Sequence, residues 1–374
     1  MKLQRTISIL SIILALSFSA FAQTTQPTPP NKTARVEDDS EVVRIESRLV
    51  VVPVSVLDAN GQAVMGLKAQ DFRVLEENKI QEIAQISNAE KVPLEIALLF
   101  DISATTNPMF EFEQEIAAKF LQEVMRPEDR ATIFTVGSSP VIVQGRDSAD
   151  KSAMAIKTIQ PTKQFTAFFD TVSEASNYLQ ENSPSGRRKV IIVISDGEDT
   201  NSYRIRKAIE NGYLRLGEKI NTLDSKMRYE FTVANRDAAN DKELVRVMQI
   251  LQNTDAVFYS VNPAGNSFQL NKVSVKGQNN LQRFATETGG TAFLPKILPI
   301  NLKDNLQNEQ NKRQNQDLLV KIFRQLANEL QAQYLVQYYS DADFPTNKYV
   351  KLDVNLQNPQ GLRIRARQGY FVKN

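Results

Sequence analysis

The stretch Leu94-Glu-Ile-Ala-Leu-Leu-Phe-Asp-Ile-Ser-Ala-Thr105 decides the fold. Up to Phe100 it is an apolar run broken only by Glu95, of a length that suits a strand buried on both faces. It then ends in Asp101, Ser103 and Thr105, three oxygen-bearing side chains within five residues. A second apolar run, Val190-Ile-Ile-Val-Ile194, ends in Ser195-Asp196-Gly197-Glu198-Asp199-Thr200. Thr166 lies after a third, weaker run. In an open parallel sheet the carboxyl ends of the strands converge on one edge, and ligands bind in the crevice there. Asp101, Ser103, Thr105, Thr166 and Asp196 are therefore expected together on one edge, in a chain with no His and no Cys. Oxygen donors without nitrogen or sulfur suit a hard divalent cation, Mg2+ or alternatively Mn2+ or Ca2+.

Working outward, residues 92–333 alternate strands and helices. Strand-like runs fall at Glu95–Phe100, Ala131–Val136, Val190–Ser195, Ala256–Asn262 and Thr291–Leu294. Helical stretches fall at Pro108–Met125, Phe168–Asn182, Asn279–Thr288 and Gln314–Gln333. In the first of these Ile116, Phe120, Leu121 and Val124 recur three and four apart, the stripe of an amphipathic helix. Gly289-Gly290 reads as a helix stop before the next strand. The alternation predicts an α/β fold, a doubly wound, mostly parallel sheet. Residues 204–248 are too long for one loop and one helix and read as a helical insertion near the oxygen-rich edge.

Both flanks of this segment are β-like. Residues 41–91 alternate through Val43, Ile45, Leu49, Val51 and Pro53, turn at Asp58-Ala-Asn-Gly61, and continue with short strands at Phe72–Glu76 and Ile80–Ser87. Residues 334–374 alternate at Tyr334–Tyr339, Tyr349–Asn355 and Leu362–Arg367. Neither flank has enough strands to close a sandwich alone. The expectation is one β-sandwich built from both, with the α/β domain inserted into it; two separate small sheets are the alternative.

The start of the chain reads as an export signal. Lys2 and Arg5 precede a mostly apolar stretch from Ile7 to Phe18, and Ala20-Phe21-Ala22 has the small-x-small form of a cleavage site, giving a signal peptide over 1–22. Its apolar core is short of the ~20 residues that span a bilayer. Residues 23–40, rich in Thr, Gln and Pro, read as a disordered linker. No other segment reaches membrane length, so no transmembrane helix is expected after cleavage. The periplasm, the cell surface or the exterior is the expected destination.

Composition narrows the function. The chain has 374 residues, 41% hydrophobic and 24% charged, with a formal charge of +2. So balanced a charge gives a nucleic-acid partner no basic field. Absence of His and Cys removes the commonest general base and nucleophile. There is no G-x-x-x-x-G-K-[ST] loop and no G-x-S-x-G elbow. A non-enzyme is expected.

The ordered set Asp101-x-Ser103-x-Thr105, Thr166 and Ser195-Asp196-Gly197 resembles the metal-ion-dependent adhesion site (MIDAS) of von Willebrand factor type A domains, over about residues 92–300. That family's first motif is Asp-x-Ser-x-Ser, and Thr105 keeps the last hydroxyl. Its second element is a Thr often preceded by Gly; here Lys163-Gln164-Phe165 precede Thr166 without one. The whole chain also resembles exported bacterial proteins with such a domain that end in Arg-x-Gly-Tyr, here Arg367-Gln-Gly-Tyr370. The resemblance implies that Ser103, Thr105 and sometimes Thr166 bind the metal directly, while Asp101 and Asp196 act mostly through water. It further implies an adhesion module whose metal takes an acidic residue from a protein partner. Two other functions stay open: a metal-silent scaffold that binds through other surfaces such as 204–248, and a metal-dependent hydrolase with Glu198 as base. Structural roles stay open too, since Asp101, Ser103 and Thr166 are good helix caps and Asp196-Gly197 is an ordinary turn pair. Glu198 and Asp199 read as solvated neighbours of the site. Asp237, Asn240 and Asp241, and separately Asp341 and Asp343, lack calcium-loop spacing and read as surface residues.

Overall fold

The computed structural model describes residues 48–88, 91–103, 109–162, 165–265, 272–300 and 302–373. The signal peptide, the linker and Thr105 lie outside them. A six-stranded sheet forms the centre, in the order β10-β9-β8-β5-β6-β7. Its strands are β5 (Leu94–Asp101), β6 (Arg130–Val136), β7 (Pro140–Asp147), β8 (Arg188–Ile194), β9 (Val257–Val261) and β10 (Ala292–Phe293). All neighbours pair in parallel except β6 with β7, which are antiparallel. Every apolar residue of β5 and β8 is buried, because helices cover both faces.

On one face α1 (Phe110–Val124), α2 (Ala149–Thr158) and α7 (Asn305–Gln331) pack around Phe120, Leu121, Ile156, Phe323 and Leu326. On the other lie α3 (Phe168–Asn182), α5 (Ser225–Thr254) and α6 (Lys272–Thr288), with Phe168, Phe169, Val172, Leu251 and Phe284 in the core. The 204–248 region is helical, as its composition predicts: α4 (Tyr203–Leu216), a short 3-10 turn, and α5. Asp224 caps α5 by accepting from Met227 N at 2.8 Å. Two elements go unread in the sequence, β7 and α2. The helices near 279–288 and 314–333 begin earlier than their apolar periodicity shows. For α7 the reason is Asp304, whose Oδ1 accepts from Leu306 N and Gln307 N and starts the helix in a polar stretch.

The two β flanks interleave. One four-stranded sheet has the order β13-β1-β11-β4 and another β14-β12-β2-β3. Here β1 is Arg48–Leu57, β2 Phe72–Glu76, β3 Lys79–Gln81 and β4 Ile83–Asn88 from the first flank. From the second come β11 (Gln333–Ser340), β12 (Tyr349–Leu356), β13 (Arg363–Ala366) and β14 (Gly369–Phe371). β1 sits between β11 and β13, and β2 pairs with β12. The single strand expected at Ile80–Ser87 is two, because the chain changes sheets at Glu82. Val52, Val54, Val74, Val336, Tyr338 and Val350 fill the interior between the sheets. Buried among them, the Glu76 carboxyl accepts from Tyr338 OH and Tyr370 OH at 2.7 Å and from Ser340 Oγ at 2.6 Å.

Arg367 joins the sandwich to the α/β part. Its guanidinium donates to Asp255 Oδ1 at 2.7 Å and to the Val51 carbonyl at 2.8 Å. Arg188 of β8 reaches the Leu330 carbonyl and Gln333 Oε1, and Gln333 donates to Tyr259 OH. Among the described residues no helix is long and apolar enough to cross a membrane.

Candidate metal site

Asp101 is the last residue of β5, and Asp196 stands two residues past the end of the adjacent strand β8. Their carboxyl groups therefore share the edge where parallel strands end. Asp101 organises its own loop and its neighbour's. Its Oδ1 accepts from Ser103 N at 2.8 Å, and its Oδ2 accepts from Ser195 Oγ at 2.5 Å. Ser195 Oγ in turn accepts from Gly197 N at 3.0 Å, and Asp196 Oδ1 accepts from Glu198 N at 3.0 Å. The structure thus brings Asp101, Ser103 and Asp196 together, with Ser195 as a link that sequence reasoning did not assign.

Thr166 joins by a different route. It is buried, its carbonyl accepts from Thr200 N and Asn201 N at 2.9 Å each, and its amide donates to Thr200 Oγ1 at 3.0 Å. Ala167 N donates to the Gly137 carbonyl at 2.7 Å, which fastens the same loop to the end of β6. Two backbone bonds to its carbonyl, one from its amide to a side chain and the bond at the end of β6 thus hold Thr166 and Ala167. Lys163 and Gln164 lie outside the described residues.

Asp199 corrects the reading of it as solvated. It is 2% exposed. Its Oδ2 accepts from Phe169 N at 2.9 Å and from Ser202 Oγ, and its Oδ1 accepts from Ser202 N at 3.0 Å. One carboxyl therefore caps α3 and closes the turn into α4. A second clasp reinforces it: Asp170 N donates to Ser202 Oγ and Asp170 Oδ2 accepts from Tyr203 N. These contacts bind the Thr166 loop to the Asp196 loop. Glu198 is half-buried and accepts from Ser274 Oγ of α6. Asn240 is likewise buried rather than a surface group, and Asp237 and Asp241 pair with Lys276.

Gly197 and Gly277 explain how the Asp196 loop comes so close to α6. Gly197 has φ +76°, and a Cβ there would lie 2.5 Å from the Gly277 carbonyl oxygen. A Cβ on Gly277 would meet Asp196 O, Glu198 N and Gly197 C at 2.8 Å. Two glycines let backbone pack on backbone. Gly277, in the middle of a helix, is the sequence signal that could have located this contact.

The electrostatics fit a cation. Burial pushes the Asp196 carboxyl up to about 7, and the like charge of Asp101 adds to the rise. Burial also raises Asp101, against the hydrogen bonds from Ser195 and Ser103 that lower it. The described groups acting on this pair are hydroxyls, amides and the Glu198 carboxylate, and among the described residues no positive charge compensates them. A divalent ion would supply it. Among the described residues no three acidic side chains lie close enough to hold a metal by themselves, so the hydroxyl groups must complete the donor set. Burial likewise pushes Asp199 up to about 6.

With this geometry in place the class is defined: a doubly wound α/β domain with a hydroxyl and carboxyl edge. Residues 96–198 match the von Willebrand factor type A domain, and the chain contains such a domain. Similar solved structures include an aerotolerance-related membrane protein from Bacteroides fragilis NCTC 9343 (14% identity, 60% of this chain and 99% of that one, TM-score 0.34). Another is the vWF domain of the type V pili tip protein Mfa5 from Porphyromonas gingivalis (13%, 62% and 96%, TM-score 0.36). A third is proximal thread matrix protein 1 from the mussel byssus with a zinc-occupied MIDAS motif (14%, 68% and 50%, TM-score 0.39). No curated protein matches the sequence.

Proposed function

We propose that this chain is an exported, non-enzymatic binding module that grips a protein partner through a divalent cation. Asp101, Ser103, Thr105, Thr166 and Asp196 hold the cation, and an acidic residue of the partner completes its coordination. One observation carries this reading: two adjacent carboxyl groups at the strand-end edge are held with no compensating positive charge among the described residues, beside the Ser103 and Ser195 hydroxyls. When bound, the ion supplies a Lewis-acidic centre for a partner carboxylate. Asp101 orients Ser103 and Ser195, the Thr166 loop closes one side, and Gly197 against Gly277 seats Asp196. Few direct anionic ligands leave the ion electrophilic, which favours carboxylate capture.

Export rests on the reading of residues 1–22, and the chain's metal preference among Mg2+, Mn2+, Ca2+ and Zn2+ is part of the test. Calorimetric titration of the chelator-treated chain with each ion is expected to show binding at one site, lost in Asp196→Ala. Capture of a protein from envelope extract should need the metal and disappear with chelator. Equal metal binding by Asp196→Ala, or capture that ignores chelator, removes the proposal.

A further inference from the structure

Phe165 and Tyr203 are 69% and 61% exposed. Single exposed aromatics are ordinary on a surface. These two are set apart by their place. Phe165 immediately precedes Thr166, whose carbonyl accepts from Asn201 N at 2.9 Å. Tyr203 follows Asn201 by two residues, and its N–H donates to Asp170 Oδ2 at 2.7 Å. Two residues span at most ~7 Å of chain, so both aromatics stand around Asn201, next to the candidate metal loop. Their backbones are already fixed, and rings carried on a fixed backbone lose little entropy when a partner covers them.

Charge divides this rim into two sides. Toward α6 stands Glu198, whose charge acts on both Asp101 and Asp196. Beyond Tyr203 stand Arg204 and Arg206, at the start of α4, whose first turn holds no acid. Positive side chains oppose the dipole of a helix start, so helix stability does not account for them. The acids on this flank have partners of their own: Asp170 with Tyr203 N, Asp199 with Phe169 N and Ser202 N, Glu210 with Lys207, and Glu243 with Arg246. The Arg204 side chain is 63% exposed and comes only to 3.9 Å from Glu243. Arg206 is exposed and makes no ion pair among the described residues, although Asp170 feels its charge. Its Nε donates to the Asn201 carbonyl at 3.0 Å, which sets it beside the aromatic pair.

We propose that the partner of the metal edge is an acidic protein segment, in which the metal-bound carboxylate is flanked on one side by an aromatic or large aliphatic residue and then by a second acid. The apolar residue covers Phe165 and Tyr203, and the second acid faces Arg204 and Arg206. This inference rests on the metal-dependent reading above. An extended segment advances ~3.3 Å per residue, so its apolar residue falls about one to three positions from the metal-bound acid. Glu198 repels further acids on its own side, so the segment leaves the metal toward α4. Aromatic anchors ringed by polar contacts are the usual anatomy of a binding hot spot. The charges beyond them act on choice of partner and speed of encounter.

Selection of a phage-displayed random peptide library on the full chain, with Mg2+ and Mn2+ supplied, tests the proposal. Enriched sequences should carry an Asp or Glu with an aromatic or large aliphatic neighbour and a second acid beyond it. A synthetic peptide of the enriched sequence should lose at least tenfold in affinity to Phe165→Ser and to Tyr203→Ser. Its affinity should also fall in Arg204→Gln, and as salt rises from ~50 to ~300 mM. Calorimetric titration with the metal alone should be the same in all three variants as in the wild type. Metal-dependent enrichment of peptides that share only an acid, indifferent to the three variants, overturns this inference and leaves the metal reading standing. Enrichment that needs Tyr203 but survives chelator or Asp196→Ala overturns both. A library that yields no enrichment, or an acidic polysaccharide such as polygalacturonate that binds more tightly than any enriched peptide, overturns the proposed partner.

Discussion

Asp196→Asn should stabilise the metal-free chain at neutral pH while abolishing its response to metal. The wild-type carboxyl is raised to about 7 from an ordinary value of 3.8, chiefly by burial and then by Asp101. In the unfolded chain it ionises near the ordinary value. Between these limits the native state binds the additional proton, so stability falls as pH rises from about 4 to about 7 and stays low above. Three pH units correspond to ~4 kcal/mol. Asp196 is partly open to solvent, and screening reduces the expected penalty to ~2–3 kcal/mol. Asn keeps an oxygen to accept from Glu198 N but carries no charge. Urea melts in chelator at about pH 5 and about pH 8 provide the assay. The difference in favour of Asn is expected to be ~1–1.5 kcal/mol at the lower pH and ~2–3 kcal/mol at the higher. Taking this difference cancels other groups, including Asp199, which is raised to about 6. A saturating divalent ion should recover ~3 kcal/mol in the wild type at a hundred times its Kd, and nothing in the variant. A variant no more stable than wild type at about pH 8, or one that metal still stabilises, refutes the reasoning.

Two further substitutions separate the site from the scaffold. Gly277→Ala would ordinarily strengthen a helix by about 1 kcal/mol, but here its Cβ meets the Asp196 loop backbone at 2.8 Å. Net destabilisation of ~1–3 kcal/mol with weaker metal binding is expected, and a rise in melting temperature would contradict the packing. Tyr370→Phe removes a hydroxyl from the buried Glu76 carboxyl and should cost ~1.5–3 kcal/mol in urea melts, leaving metal titrations unchanged. An altered metal affinity in that variant would show the sandwich and the edge to be coupled.

Much of the central domain was legible because its strands are covered on both faces. Continuous apolar runs such as Leu94–Phe100 and Val190–Ile194 carry that signal in one chain. β7 was not legible for the converse reason. It is open on both faces, so Val141-Ile-Val143 neither alternates nor sits in a long buried run. α2 is short, with only Ser152, Ala153 and Ile156 buried, too few to mark a period. At the site, Asp101, Ser103 and Asp196 could be read from position after a strand. The linking role of Ser195 and the burial of Asp199 could not, since both depend on contacts across 94 and 30 residues of chain.

The missing glycine before Thr166 was the weakest point of the sequence reading, and the structure gives it a physical answer. A glycine at that place would supply backbone freedom, whereas this loop is held by partners. Thr200 and Asn201 grip both the amide and the carbonyl of Thr166, and Gly137 holds Ala167. Asp199 and Asp170 then tie the beginnings of α3 and α4 together below it. Thr166 and Ala167 are thus held from outside, by the Asp196 loop and the end of β6. Substitutions that loosen Asp199 should therefore disturb Thr166 as much as they disturb Asp196, although Asp199 itself is turned inward to the helix ends. The extended motif Ser195-Asp196-Gly197-Glu198-Asp199 thus divides its labour: Asp196 stands at the strand-end edge beside Asp101, and Asp199 ties the beginnings of α3 and α4 together next to Thr166.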